Sequence, residues 1–348
     1  MDLPIYWLAA IGFLIINVML IAASVLVYYE RKVSGWIQNR PGPNRVGPYG
    51  FLQPFADVFK LIFKEDISPA QSNAFVHSVA PVLLVVIAMT TAALIPFARG
   101  VVLADVDTSA LVVLALTSVS VYGITLAGWA SNSKFSLLGG LRSAAQMISY
   151  ELAMGLAVVS VVLISGSMRL VDIVEHQAGW GILGWNVFRN PIGALVFIVC
   201  SFAETNRAPF DLPEAEQELV GGYHTEYSGM KFGMFFLAEY VNFFIASFII
   251  ATMFFGGYLL PFEPEILATF PGLDGSIFLG VLQVATLFLK VAFFSFLFIW
   301  VRWTLPRFKY QQLMTLGWKM LLPIALANVL LYALFFALQH VLQDKVFG

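Results

Sequence analysis

From Leu3 to Tyr29 the chain carries no charged side chain, and this run restricts its fold more than any other feature. Twenty-seven residues of helix extend about 40 Å, more than the ~30 Å hydrocarbon core of a bilayer. The run is too long for the core of a signal peptide, and the charges Glu30, Arg31 and Lys32 follow it with no small-residue cleavage site before them. Seven further apolar stretches follow, at 75–98, 109–131, 146–167, 190–206, 232–258, 276–301 and 318–341. All are continuous rather than alternating, so they predict helices, which satisfy their backbone polar groups internally, and not the strands of a barrel. The fifth is the shortest and ends on a charge, Glu204. The expectation is an all-α polytopic membrane protein with about eight transmembrane helices, amphipathic helices and long inner loops, forming a single integral-membrane helical domain over residues 1–348.

Composition agrees. Hydrophobic residues make up 59% of the chain and charged residues 11%, against about 25% in soluble domains. This excludes an ordinary water-soluble enzyme. The formal net charge of −2 points to no nucleic-acid partner. A single cysteine, Cys200, excludes a disulfide framework, a zinc site built on paired thiols, and an Fe–S cluster held by this chain alone. The four histidines, His77, His176, His224 and His340, are scattered without ligand spacing, so neither a haem nor another metal site is expected. No phosphate-binding loop or dinucleotide fingerprint occurs.

Eight spans place both termini on one side. Fourteen of the 19 basic residues fall in the loops 30–74, 132–145, 205–231 and 302–319, which the positive-inside rule assigns to the cytoplasm, or to the matrix for a mitochondrial source, with both termini outside. No internal repeat is visible, which counts against transporters built from duplicated halves.

The inner loops and the charges inside spans carry the chemistry. Between Phe51 and Lys64, apolar residues recur at helical spacing while Gln53, Asp57, Lys60 and Lys64 form the opposite face. This predicts an interfacial helix whose lysines reach lipid headgroups, with Asp57 better explained by a protein cavity beneath it. Glu151, Glu204 and Glu239 lie within spans, where a charge costs roughly 2.5–3.5 kcal/mol and marks a candidate functional group. Two readings stay open for them: structural pairing, with Arg142 and Arg207 near enough in sequence to neutralise Glu151 and Glu204, or proton exchange. Lys290 in the seventh span has the same status and is a candidate partner for one of them. Between Glu204 and Val220 the chain also carries Asp211, Glu214, Glu216 and Glu218, with Glu226 just beyond. Asp211 and Glu214 read as a capping box. The remaining glutamates would repel one another if all were ionised, which favours shared protons and a relay. Phe232, Phe235, Phe236 and Tyr240 flank Glu239 and suit either ordinary packing or a slot for an apolar tail.

These residues carry a resemblance. Glu30-Arg31-Lys32, Gly42-Pro43-Asn44-Arg45-Val46-Gly47-Pro48, Phe55-Ala56-Asp57, the stretch from Ser143 to Glu151, and above all Ala203 through Tyr227 are similar to the family of H-type membrane subunits of respiratory complex I. That enzyme is the proton-translocating NADH:quinone oxidoreductase. The likeness runs nearly end to end, with Gln311 standing where the family usually has Asp. The resemblance implies a bacterial inner-membrane subunit that joins the peripheral arm to the membrane arm. It implies quinone (ubiquinone or menaquinone) as substrate, with flavin and Fe–S clusters in partner subunits. Glu30, Arg31, Gln38, Arg40, Asp57, Phe232, Phe236, Arg302 and Arg307 match positions at or near the quinone chamber. Glu151, Glu204, Glu214, Glu216, Glu218 and Glu239 match the proposed proton route, to which Glu226 and Lys290 are added from their own setting. No catalytic acid is expected in this chain. A membrane-hydrogenase subunit without quinone, or an independent ion transporter, stays open as an alternative.

Overall fold

A computed structural model describes residues 5–212, 220–269, 272 and 275–347. Among them, seven helical segments are long and apolar enough to cross a membrane. In chain order the elements are α1 (Ile5–Ile37), α2 (Gln53–Ile62), α3 (Ala74–Ala92), α4 (Ser109–Ala130), α5 (Lys134–Ser165), α6 (Leu170–His176), α7 (Asn186–Arg189), α8 (Pro191–Glu204), α9 (Gly229–Phe254), α10 (Glu263–Thr269), α11 (Ile277–Thr304), α12 (Tyr310–Thr315) and α13 (Leu322–Phe347). A π-helical turn at Leu316–Leu321 joins α12 to α13 in one long span.

Two expectations are corrected. The fifth apolar run is α8, only 14 residues, about 21 Å and shorter than the hydrocarbon core. It is apolar because Val196, Phe197, Cys200 and Ala203 are buried among other helices, not because it faces lipid along a full crossing. It still reverses the chain: it runs antiparallel to α5, with Asn190 beside Ser160 at one end and Ala203 beside Gln146 at the other. The region 132–145, expected as a loop, is the first three turns of α5. Lys134 and Arg142 end the charge-free run without ending the helix.

Local chemistry places the helix ends. Asn73 accepts a hydrogen bond from Val76 N at the start of α3, Asn190 from Gly193 N at α8, and Ser276 from Leu279 N at α11. Pro191 occupies the first turn of α8, where its missing N–H is no loss. Helix α5 stops at Gly166, whose φ of 71° suits a residue without a side chain.

Helix α5 runs through the middle of the bundle, against α4, α8 and α13. Its Tyr150 is fully buried and donates to Leu313 O at 2.9 Å, while Trp318 Nε1 donates to Ser149 Oγ at 2.9 Å. A second polar seam joins α5, α8 and α13: Asn190 Nδ2 donates to Ser160 Oγ at 2.6 Å, and Asn328 Nδ2 to Asn190 Oδ1 at 3.0 Å. Helix α9 supplies the aromatic core, with Phe243, Phe248 and Phe254 fully buried. Close helix contacts need small residues in membranes, where helix association depends on packing. A Cβ on Gly139 of α5 would lie 2.7 Å from Gly222 Cα and 2.8 Å from Tyr223 N, all of it backbone. Gly139→Ala should therefore destabilise the fold by about 1–3 kcal/mol, seen as a lower unfolding midpoint of the detergent-solubilised protein; an unchanged midpoint would show that the segment at Gly222 yields freely.

Candidate functional site

At the loop-rich end of the bundle, chain 205–211 turns back from α8 into the protein and carries Arg207 inward. The turn is closed by Phe210 N donating to Arg207 O at 2.8 Å. The Arg207 side chain is 3% exposed. Its Nη1 donates to Glu30 Oε2 at 2.7 Å and its Nε to Glu239 Oε1 at 2.7 Å. The second Glu30 oxygen accepts from Arg302 Nη1 at 2.6 Å. Helices α1, α9 and α11 thus meet through two carboxylates and two guanidiniums. The Arg207 guanidinium also lies over the Tyr240 ring at 4.1 Å and the Phe243 ring at 4.6 Å. Burial opposes its charge, but Glu30 and Glu239 outweigh that and hold Arg207 above the ordinary guanidinium range.

Next to this cluster is a cavity of about 190 Å³ between α1, α2 and α9. Arg31, Asp57, Lys60, Phe232, Phe236 and Tyr240 lie on its wall. Arg31 Nη1 donates to Asp57 Oδ2 at 2.6 Å, and Gln53 Nε2 to Asp57 Oδ1 at 3.2 Å. Asp57 therefore lies over a cavity, on a mixed face of α2 with Pro54, Val58 and Leu61, while Phe55, Phe59 and Ile62 are exposed away from it. Lys60, expected at lipid headgroups alone, also lines this cavity. Tyr240 belongs both to the cavity wall and to the aromatic bed under Arg207.

The remaining chamber candidates lie elsewhere. Gln38 and Arg40 bond each other at 2.7 Å in the exposed loop after α1. Arg307 Nη2 donates to Asp211 Oδ2 at 2.5 Å, and Phe308 N to Pro209 O at 3.0 Å, clamping the chain after Arg207. Burial raises the Asp211 carboxyl above its ordinary value while Arg307 opposes the rise. Asp211 thus faces Arg307; Glu214, its expected capping partner, lies with Glu216 and Glu218 outside the described residues.

Of the other relay candidates, Glu204 and Glu239 share a small cavity with Asn242 and Ser120. Glu204 Oε2 and Glu151 Oε1 are buried without a hydrogen-bond partner among the described residues, and the two carboxyls are close enough for their charges to repel. Arg207, expected beside Glu204, is instead held by Glu30 and Glu239. Glu226 lies near His77, which stacks on Tyr227 with ring centroids 3.9 Å apart. Phe235 packs on Tyr223 and Tyr227 and lines the small cavity at Glu204, not the 190 Å³ one.

Lys290 is a correction. Its Nζ donates to Gly257 O and Leu259 O, both at 2.8 Å, and sits 4.4 Å over Trp185. The chain after α9 turns back into the bundle at Gly256 and Gly257, both at positive φ, and aims those carbonyls at the ammonium. Its acidic neighbour is Glu263, not Glu151, Glu204 or Glu239.

Sequence reasoning left Arg207 out of the site. The signal was present: it is the one Arg or Lys between Arg189 and Lys231. Among the described residues, no group of three His, Cys, Asp or Glu is placed to hold a metal ion.

An all-α polytopic membrane protein with a buried ion cluster beside a cavity is the class these features define. The NADH dehydrogenase family model matches residues 9–333. The chain is 74% identical over 339 residues to NADH-quinone oxidoreductase subunit 8 of Rhodothermus marinus, covering 97% of this chain and 99% of that one. It is 72% identical over 329 residues to the H-type NADH-quinone oxidoreductase subunit of Salinibacter ruber, with 94% and 95% covered. Identity to the H-type subunit of the Deinococcus radiodurans enzyme is 48% over 357 residues, with 98% and 87% covered. The chain belongs to the NADH dehydrogenase family, that of the H-type membrane subunits of respiratory complex I. These relatives are named for the quinone enzyme, not for a hydrogenase or a transporter.

Removing one partner of a buried ion network leaves the others uncompensated, at about 3–5 kcal/mol. Arg207→Met should therefore lower the amount of folded chain in membranes sharply, whereas Arg40→Gln in the exposed loop should not. Normal levels of Arg207→Met would show that water reaches Glu30 and Glu239.

Proposed function

We propose that this chain forms the membrane side of a quinone-reduction chamber and passes the protonation events there into the membrane arm. The observation that carries this is the double position of Tyr240, on the cavity wall and against Arg207 in the ion cluster. Phe232 and Phe236 supply an apolar, aromatic wall suited to a quinone tail, and Arg31 with Asp57 a polar edge at its margin. The exposed apolar face of α2 fits the bilayer surface, so the opening is reached from lipid.

Quinone reduction to quinol takes up two electrons and two protons. The electrons arrive through flavin and Fe–S clusters held by peripheral-arm subunits, and the headgroup acid belongs to one of those partners. This chain's residues respond to the charge change. A proton reaching Glu239 weakens its hold on Arg207, which then relies on Glu30. Glu204 and Glu151, each with an unpartnered buried oxygen, are the acceptors beyond it, in the direction of neighbouring membrane-arm subunits. Glu214, Glu216, Glu218 and Glu226 belong to the same acidic stretch and are proposed as feeders of this route. In this reading the chain spans the bacterial inner membrane with both termini outside and its loop-rich end toward the peripheral arm.

Asp57→Asn keeps the shape of the cavity margin but removes the charge-assisted bond to Arg31. It should change the KM for quinone several-fold in membranes oxidising NADH, with the complex fully assembled. Unchanged quinone kinetics would return α2 to a purely interfacial role. Glu204→Gln should lower NADH:quinone activity and proton pumping in step, while reduction of a hydrophilic acceptor by the peripheral arm persists. An assembled Glu204→Gln complex that pumps and turns over normally would show this carboxylate to be structural.

A further inference from the structure

Helix α1 has a hollow on each of two opposite faces. Ala23, Val27 and Arg31 line the 190 Å³ cavity described above. Val18, Ile21, Ala22, Val25 and Tyr29, about half a turn round the helix from them, line a second and larger space of about 500 Å³. Phe244 of α9 and Phe288, Ala292 and Ser295 of α11 supply its other walls. The α1 residues stand at i, i+3, i+4, i+7 and i+11, so they form one continuous stripe along the helix. At 1.5 Å per residue the groove from Val18 to Tyr29 is about 16 Å long, the hydrocarbon depth of one leaflet in a ~30 Å core.

Neither emptiness nor water suits this groove. Helices α1, α9 and α11 are all long and apolar enough to span a membrane, so the space lies at the depth of lipid hydrocarbon. A void there forfeits dispersion contacts along its whole wall. A water needs two to four polar partners. The wall offers the Tyr29 and Ser295 hydroxyls alone, and Ser295 Oγ is already turned to Ser247 Oγ at 3.4 Å. Hydrocarbon is the filling that remains. The loop-rich end of the groove is chemically different. Lys32 and Trp36 continue the α1 stripe beyond Tyr29, and Trp303 stands at the same end of α11. Trp36 is 68% exposed. Lys32 Nζ lies 5.7 Å over the Tyr28 ring and has no ion-pair partner among the described residues. A free cation with exposed indoles at the mouth of an apolar groove suits an acidic lipid headgroup.

We propose that the groove between α1 and α11 holds one acyl chain of an acidic phospholipid, whose headgroup phosphate pairs with Lys32. Spread over its length, the volume gives a channel about 6 Å wide, room for a single hydrocarbon chain and not for a helix of 10–12 Å. The seated chain backs α1 on the face opposite the 190 Å³ cavity, so the helix is packed on both sides. Glu30 leaves α1 on the flank between the two hollows, toward Arg207 and Arg302. The lipid therefore steadies the helix that presents Glu30 to the ion cluster. The site is independent of the quinone reading, because it occupies the other face of α1.

The test places the complete complex in vesicles carrying a trace of phosphatidylglycerol or phosphatidylcholine with a photoreactive acyl chain, and maps the adducts by peptide mass spectrometry. Phosphatidylglycerol should label both walls, 18–29 of α1 and 288–295 of α11. Its labelling should exceed that of phosphatidylcholine about fivefold, the selectivity that one lysine gives toward an acidic lipid. Lys32→Gln should bring the two lipids level. Ala292→Phe, whose ring fills the groove, should remove the adducts on both walls. If that variant does not assemble, Lys32→Gln at the helix end decides alone. Equal labelling of the unaltered complex by the two lipids would mean exchanging bilayer lipid only, and the proposal falls. It falls too if a photoreactive quinone tail labels the groove in place of the phospholipid, or if nothing does and a neighbouring subunit covers it. An unchanged preference in Lys32→Gln, or undiminished labelling in assembled Ala292→Phe, overturns it as well.

Discussion

A guanidinium removed from water needs carboxylates close enough to replace its hydration, and Arg207 obtains two, from helices far apart in sequence. The idealised cost of moving one such ion into a low-dielectric interior is about 20 kcal/mol, and the effective cost after relaxation is still several. The arrangement is therefore tolerable only as a set. Glu30 needs Arg302 as well as Arg207, and Arg207 needs the ring faces of Tyr240 and Phe243 in addition to its carboxylates. Each member holds a different element, so the network determines how α1, α9, α11 and the chain after α8 lie against each other.

A charge set in this balance responds to small changes. With two carboxylates and two guanidiniums, neutralising one carboxylate leaves an excess positive charge in a region with little water to screen it. Tyr240 puts the 190 Å³ cavity in contact with that balance. In the proposed function, a residue that is both a cavity wall and the floor of an ion cluster would pass a change in the one to the other without a long conformational path. The clamp of Arg307 on Asp211 and of Phe308 on Pro209 holds the chain after Arg207 in place, so a change at the cluster is not lost in loop motion.

Much of this was legible in the sequence, for a specific reason. Charges are so costly within apolar runs that Glu151, Glu204, Glu239 and Lys290 stand out wherever they occur, while Glu30 and Arg302, just outside such runs, were marked by the family resemblance. The spans were visible on the same ground. Hydropathy does not distinguish a helix buried among helices from one facing lipid, so α8 read as a full crossing. Nor does a break in hydropathy imply a break in helix, so the charged first turns of α5 read as a loop. Partners were harder than candidates. Arg207 lies in a polar stretch and gives no hydropathy signal, because its burial comes from a chain reversal that periodicity does not encode. The partners of Lys290 are backbone carbonyls, which carry no residue identity at all.

The two unusual cations show how differently one bundle can stabilise buried charge. Lys290 is held by two carbonyl dipoles and an indole face, a setting in which nothing need ionise or neutralise for the contact to persist. The groups bonded to its Nζ are fixed dipoles, with Glu263 as its acidic neighbour, and they lock the chain after α9 against α11. Arg207 is held by groups that can themselves take up protons, so its surroundings change whenever one of them does. A structural cation is best served by the first kind of setting and a responsive one by the second. The carboxylates with unpartnered oxygens, Glu204 and Glu151, accompany the Arg207 network and not the Lys290 one. The buried carboxylate near Lys290, Glu263, instead has both oxygens engaged, by Leu260 N and by Gln283 Nε2.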